Sequence, residues 1–286
     1  MKLILKKTVF YTLIALIAFT LVASTGNSRQ LLSRNDQQLQ DCLMAGSVVK
    51  NRQISRFCTN FPKSDIAPNS NLNLSESERF LAEVKNKLLT LPQSGSYEYI
   101  LLRAYGAIFV NQNPEVKLPE KVFFNNESET KAFQATLTLG KVKNTNKCYL
   151  QKVAADAFNR AKAQVEIPLK SGYGAGDCAR TFGTNLKFWR KYANNITLDR
   201  IRQGKETKIL STVAPPGASQ HLWGLAIDLR VSTLIQKQAL YQNGWFQTVE
   251  NDIPHWTYLG QPEEKLAELG LQNKIVRGVS YWVTPL

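Results

Sequence analysis

The sequence predicts an α+β fold: a small antiparallel sheet with flanking helices, preceded by a mainly helical N-terminal accessory region. Three observations carry that prediction. Apolar residues recur at helical spacing in several stretches. Strand-like runs are short and gather late in the chain, as "LAIDLRV", "WFQTV" and "HWTYLG". No regular βαβ alternation connects them, so a parallel sheet is not expected. A length of 286 residues suits one large or two modest domains. A hydrophobic content of 43% with 20% charged residues is that of a folded chain.

The elements follow in order. "MKLILKK" is basic, and the apolar run Val9–Ala23 after it leads into the small residues "STGNS". That run is shorter than the roughly 20 residues of a membrane span. Residues 1–25 therefore read as a cleavable export signal, with an uncleaved anchor held by Lys2, Lys6 and Lys7 as the alternative. Residues 26–75 are polar and end in the linker "FPKSDIAPNSNLNLS". Ser75 and Glu78 form a capping box for a helix that carries Phe80, Leu81, Val84, Leu88 and Leu91 on one face. "YEYILLRAYGAIFV" is apolar throughout and open between helix and strand, whereas "NESETKAFQATL" reads as a short capped helix. Region 76–145 shows no recognisable chemistry and is an accessory region.

From 146 to 286 the pattern sharpens into a second domain. Leu150, Val153, Ala154, Ala157, Phe158, Ala161 and Val165 fall on one helical face. "EIPLKSGYG" reads as a strand entering a Gly-rich turn, and "RTFGTNLKFWRKYANN" as a helix. "LAIDLRV" alternates, with Asp228 on the face opposite Leu225, Ile227 and Leu229. "STLIQKQALYQN" is a helix closed by Gly244.

Four cysteines in a chain bound for export point to disulfides; of the three pairings that four cysteines allow, Cys42 with Cys58 and Cys148 with Cys178 are favoured because each would staple one local unit. The net charge of +14 suits anionic cell-wall polymers or membrane surfaces. Nucleic acid is not expected as a partner, because the sequence has no basic helix, zinc finger or aromatic RNA-binding motif.

The chemistry has to come from few residues, since the chain has only two histidines. His221 lies in "SQHLWGLAIDLR" with Asp228 seven residues on, and His255 opens "HWTYLG". Two histidines and one aspartate make a ligand set for a catalytic zinc, with the fourth position left to water. On this reading Gly224 and Ala226 leave room beside the metal. Trp256 and Tyr258 are expected to be core residues.

The wording of these segments resembles the VanY-like D-alanyl-D-alanine carboxypeptidases and dipeptidases. "PGASQHLWGLAIDL" matches that family's Ser-x-His-x-x-Gly-x-Ala-x-Asp motif, "PHWTYLG" is similar to its last segment, and "LKSGYG" to its Ser-Gly-Tyr-Arg segment. The resemblance runs over roughly 146–260. It implies a zinc peptidase with one ion per chain, held by His221, Asp228 and His255, and peptidoglycan peptides as substrate. It implies a catalytic carboxylate three residues before the last histidine, which is Asp252 here, with Glu250 the rival. The arginine of the family motif falls on Gly174, and Arg180 is the candidate to return a guanidinium. Tyr173 and Ser219 are the implied substrate-binding residues, although Ser219 can equally end the turn. The expected activity is D-alanyl-D-alanine carboxypeptidase. The alternatives are a non-catalytic zinc-stabilised peptidoglycan-binding protein and a cell-wall endopeptidase.

Overall fold

Capping chemistry starts the first helix. The computed structural model describes residues 74–172 and 174–286, and in it α1 (Glu76–Lys85) begins at Ser75. The Ser75 hydroxyl accepts from the Glu78 amide, and the Glu78 carboxylate accepts from the Ser75 amide. The helix stops at Asn86, so Leu88 reaches the core from the following turn. The ambiguous apolar stretch is helical: α2 (Tyr97–Tyr105) runs into a 3₁₀ turn, Gly106–Val110, that is buried throughout. Burial on all sides erases the amphipathic period by which helix and strand are told apart. The short capped helix is α3 (Glu127–Gln134), with Asn126 as its cap.

β1 (Leu139–Lys141) and β2 (Tyr149–Gln151) form a ladder ahead of α4 (Lys152–Gln164). Leu150 thus enters the core from a strand and not, as its spacing suggests, from the helix. The strand expected in "EIPLKSGYG" reduces to one bridge, Leu169 with Leu229. Pro168 has no amide to donate and Gly172 sits at φ +81°, so the ladder cannot extend. α5 (Phe182–Tyr192) is followed by α6 (Asn195–Arg202), a helix that the sequence reading does not contain.

The central sheet is small. β3 (Ala226–Asp228), β4 (Trp245–Phe246) and β5 (His255–Tyr258) are antiparallel in the order β3-β5-β4. α7 (Leu234–Tyr241) links β3 to β4, and α8 (Glu263–Leu266) leads to a separate hairpin of β6 (Gln272–Val276) and β7 (Val279–Val283). The hairpin turn is Arg277-Gly278, both at positive φ, as a two-residue turn of right-handed twist requires.

One hydrophobic cluster runs from Phe80 to Leu271. It includes Trp256 and Tyr258, as expected from the sequence, and residues of 76–145 pack into it, with the Phe109 ring 5.7 Å from that of Trp223. Cys148 and Cys178 are disulfide-bonded. Among the described residues no helix is long and apolar enough to cross a membrane. The expected signal, the linker before Leu74, the Cys42–Cys58 pairing and Tyr173 lie outside the described residues.

Candidate metal centre

Strand register builds the first half of the site. Asp228 is paired directly with His255 across the β3–β5 ladder, so both side chains leave the same face as close neighbours. The second half comes from a 3₁₀ turn, Gln220–Trp223, that precedes β3. Gly224 ends it at φ +66°, a left-handed conformation that glycine adopts without strain. This reversal carries His221 back over the strand. Gly224 does not make room for a metal, as the sequence reading has it. A Cβ there would meet the Gln151 amide nitrogen at 3.2 Å, and the Gly224 carbonyl accepts from that amide. Ala226 pairs with Thr257 inside the sheet and does not line the site cavity. Both small residues serve the docking of strands.

His221, Asp228 and His255 converge. His221 Nε2 is 3.2 Å from His255 Nδ1 and 3.4 Å from Asp228 Oδ1, and His255 Nδ1 is 3.6 Å from the same oxygen. All three residues are buried, with exposures of 1%, 7% and 6%. The three can hold a metal ion.

The partners behind the two rings define what faces inward. His221 Nδ1 lies 2.9 Å from the Cys178 carbonyl, which can only accept, so Nδ1 carries the proton and Nε2 keeps its lone pair. His255 Nε2 lies 2.8 Å from Gln220 Oε1. The orientation of that amide is fixed in turn, because Gln220 Nε2 donates to the Tyr105 carbonyl at 2.7 Å. Gln220 Oε1 therefore accepts, from His255 and from the Thr257 hydroxyl at 2.6 Å. His255 carries its proton on Nε2 and turns a bare Nδ1 toward His221. Two lone pairs and a carboxylate then point into one volume with no proton between them, an arrangement that calls for a cation. A metal ion fits it.

The electrostatics agree. Burial, with Arg180 adding to it, lowers the His221 pKa to about 4, so the imidazole is neutral and able to ligate at neutral pH. Burial alone would raise the Asp228 carboxyl, but His221, His255 and the Arg180 guanidinium reverse that and hold it well below its usual range. Arg180 Nη2 donates to Asp228 Oδ2, its Nε donates to the Gly176 carbonyl at 2.6 Å, and its guanidinium lies 4.7 Å over the Phe188 ring.

A cavity of about 90 Å³ opens onto the three donors. Arg180, Asp252 and Ser219 line it, as does the exposed Lys170, which the sequence reading passes over. Burial pushes the Asp252 carboxyl up, Asp228 adds to this, and His255, Lys170 and Arg180 oppose it only in part. Glu250 lies elsewhere, paired with Lys274 at 2.6 Å and lining a different groove. Asn251, at φ +67°, breaks any strand geometry between the two acids and separates their directions. No side chain can enter from Gly174, since a Cβ there would meet the Asn146 carbonyl oxygen at 2.5 Å.

The second residue missed in the sequence is Gln220, 1% exposed behind His255. Only its place beside a candidate ligand hints at it, and the partner that orients it is 115 residues away.

Residues 142–272 match the family model of VanY, described as D-alanyl-D-alanine carboxypeptidase. Over that stretch the chain is similar to VanY. The candidate metal centre and the disulfide fall inside the VanY match, as does the cavity lining except for Tyr105, which also orients Gln220 and lies before it. No curated protein sequence matches the chain.

Proposed function

We propose that this protein is an exported, zinc-dependent D-alanyl-D-alanine carboxypeptidase acting on peptidoglycan stem peptides. The observation that carries this reading is the placing of three bare metal donors and a half-buried, upward-shifted carboxyl, Asp252, around one small cavity. The donor separations of 3.2, 3.4 and 3.6 Å bracket the edge of about 3.3–3.4 Å expected for a tetrahedron of ligands 2.0–2.1 Å from zinc. Bound there, zinc would polarise the scissile carbonyl and make a water molecule nucleophilic at neutral pH.

The chain's own residues account for the remaining steps. Asp252 takes the proton from the attacking water and delivers it to the leaving amine, so that oxygen adds to the carbonyl carbon as the C–N bond breaks. A carboxyl pushed up by burial suits both halves of that transfer. Arg180 holds Asp228 Oδ2, which leaves Oδ1 turned toward the histidines. Lys170 and Arg180 place positive charge at the cavity, where the free carboxylate of a terminal residue would sit. That feature favours removal of a terminal residue over an internal cut. Ser219 is buried at the cavity wall and is assigned to substrate contact. Export is supported by the N-terminal sequence and by a disulfide, a bond characteristic of oxidising compartments.

Incubation of the purified protein with muropeptides, with and without a chelator, tests the reading by mass analysis. Loss of one terminal alanine, abolished by the chelator and restored by zinc, is the expected result. An internal cut would identify an endopeptidase, and unchanged muropeptides with retained binding would identify a binding protein.

A further inference from the structure

Beside the metal-site cavity runs a groove of about 800 Å³, and the two share Leu210 and Val249 as a common wall. Four cations line it: Arg103, Lys208, Lys274 and Arg277. Its one acidic side chain, Glu250, is consumed by Lys274. Among the described residues Arg103, Lys208 and Arg277 have no ion-pair partner. Uncompensated like charges around one concavity repel each other, and an anionic ligand relieves that repulsion.

Half of the residues lining the groove, and three of its four cations, lie outside the matched stretch. Arg103 sits in the last turn of α2, before residue 142, and Lys274 and Arg277 sit on the C-terminal hairpin, after residue 272. The two additions meet, because the Thr284 hydroxyl donates to the Arg103 carbonyl at 2.7 Å. The Arg277-Gly278 turn holds the guanidinium at the hairpin tip.

We infer that this groove binds the upstream part of the peptide substrate through its free side-chain carboxylates. The ligand class rests on the peptidase reading above. A chain whose terminal bond lies in the small cavity can continue over the shared Leu210 and Val249 wall into the groove on its other side. Apolar side chains such as Ile100 and Val283 between the cations suit a peptide backbone with intervening side chains, which a uniformly charged polymer would not need.

The test uses the full chain and two fluorescent peptides ending in D-Ala-D-Ala. One carries carboxylates at two upstream positions, and the other carries carboxamides of the same shape. Anisotropy should give affinity about tenfold higher for the acidic peptide, since each exposed charge pair contributes only a few-fold, and added salt should shrink that ratio. Lys208→Gln with Arg277→Gln should bring the ratio close to one, leave the carboxamide peptide unaffected and leave the thermal midpoint unchanged. Equal affinities in the wild type, or a ratio that survives the double substitution, would overturn the inference. So would competition by a glycerol-phosphate oligomer at lower concentration than by the unlabelled acidic peptide, which would hand the groove to a phosphate polymer. Hydrolysis is scored separately. Selective binding without cleavage defeats the peptidase reading and upholds the groove, and cleavage of both peptides with equal affinity does the opposite.

Discussion

Asp252 and Glu250 are two residues apart and carry the same charge, yet their surroundings give them different work. Asp252 lines the same cavity as the donors, while Glu250 neutralises Lys274. Asp252→Asn is expected to keep zinc and lose turnover by about 10²–10⁴-fold, the usual range for a general base. Glu250→Gln should leave turnover on a short peptide unchanged, and rate assays with elemental analysis check both. Alanine at His221, Asp228 or His255 should each abolish tight zinc binding. Gln220→Leu tests the orientation of His255 more sharply. It removes the only side-chain acceptor of His255 Nε2 among the described residues, and loss of such a partner typically costs about 10–100-fold in metal affinity. Chelator competition measures that loss, and the ring ¹⁵N shifts of a two-histidine protein report whether the tautomer has changed. Arg180→Lys should lower both zinc affinity and rate. An ammonium cannot reach Asp228 and the Gly176 carbonyl together while stacking on Phe188.

At the scale of elements, the disulfide joins the residue just before β2 to the loop whose Cys178 carbonyl anchors His221. Closing a loop of separation 30 contributes about 3–4 kcal/mol in the chain-entropy account. Cys148→Ala with Cys178→Ala should lower the denaturation midpoint accordingly and weaken zinc binding, as read by chemical denaturation and chelator competition. Gly174→Arg restores the residue type of the family motif, but at φ +94° and against the Asn146 carbonyl it should destabilise the protein by at least about 1–2 kcal/mol without raising activity. A thermal melt alongside a rate assay decides this. These elements also mark how far the sequence is legible. Caps are local, so α1 and α3 can be read from Ser75, Glu78 and Asn126. Each donor of the metal centre belongs to a short spelled motif. The strand expected in "EIPLKSGYG" fails because Pro168 interrupts a ladder whose partner is distant in sequence. α6 was missed because its sequence, "NITLDRIR", buries only Ile201 and shows little apolar period. Nothing around residue 105 announces that its carbonyl orients Gln220.

On the scale of the whole chain, residues 76–145 are bound to the part that carries the candidate metal centre by buried contacts. Phe109 packs on Trp223, Asn111 Nδ2 donates to the Tyr258 carbonyl, and Gln151 exchanges hydrogen bonds with the Lys117 backbone. A fragment covering only 142–286 should therefore unfold without cooperativity and show red-shifted tryptophan fluorescence, since Trp223 loses its cover. Urea titration against the full chain measures both effects. The Tyr105 carbonyl has one more consequence, for inheritance. Because the atom that orients Gln220 is main chain, no amino-acid exchange at position 105 deletes it, whereas the buried Tyr105 side chain is held separately, its hydroxyl donating to the Leu210 carbonyl at 2.7 Å. The vulnerability is moved from amino-acid identity to spacing. A one-residue insertion or deletion between α2 and the following 3₁₀ turn would carry the carbonyl away from Gln220, and with it the tautomer of His255. Lineages descended from this protein should resist indels around position 105 even where the residues beside it change.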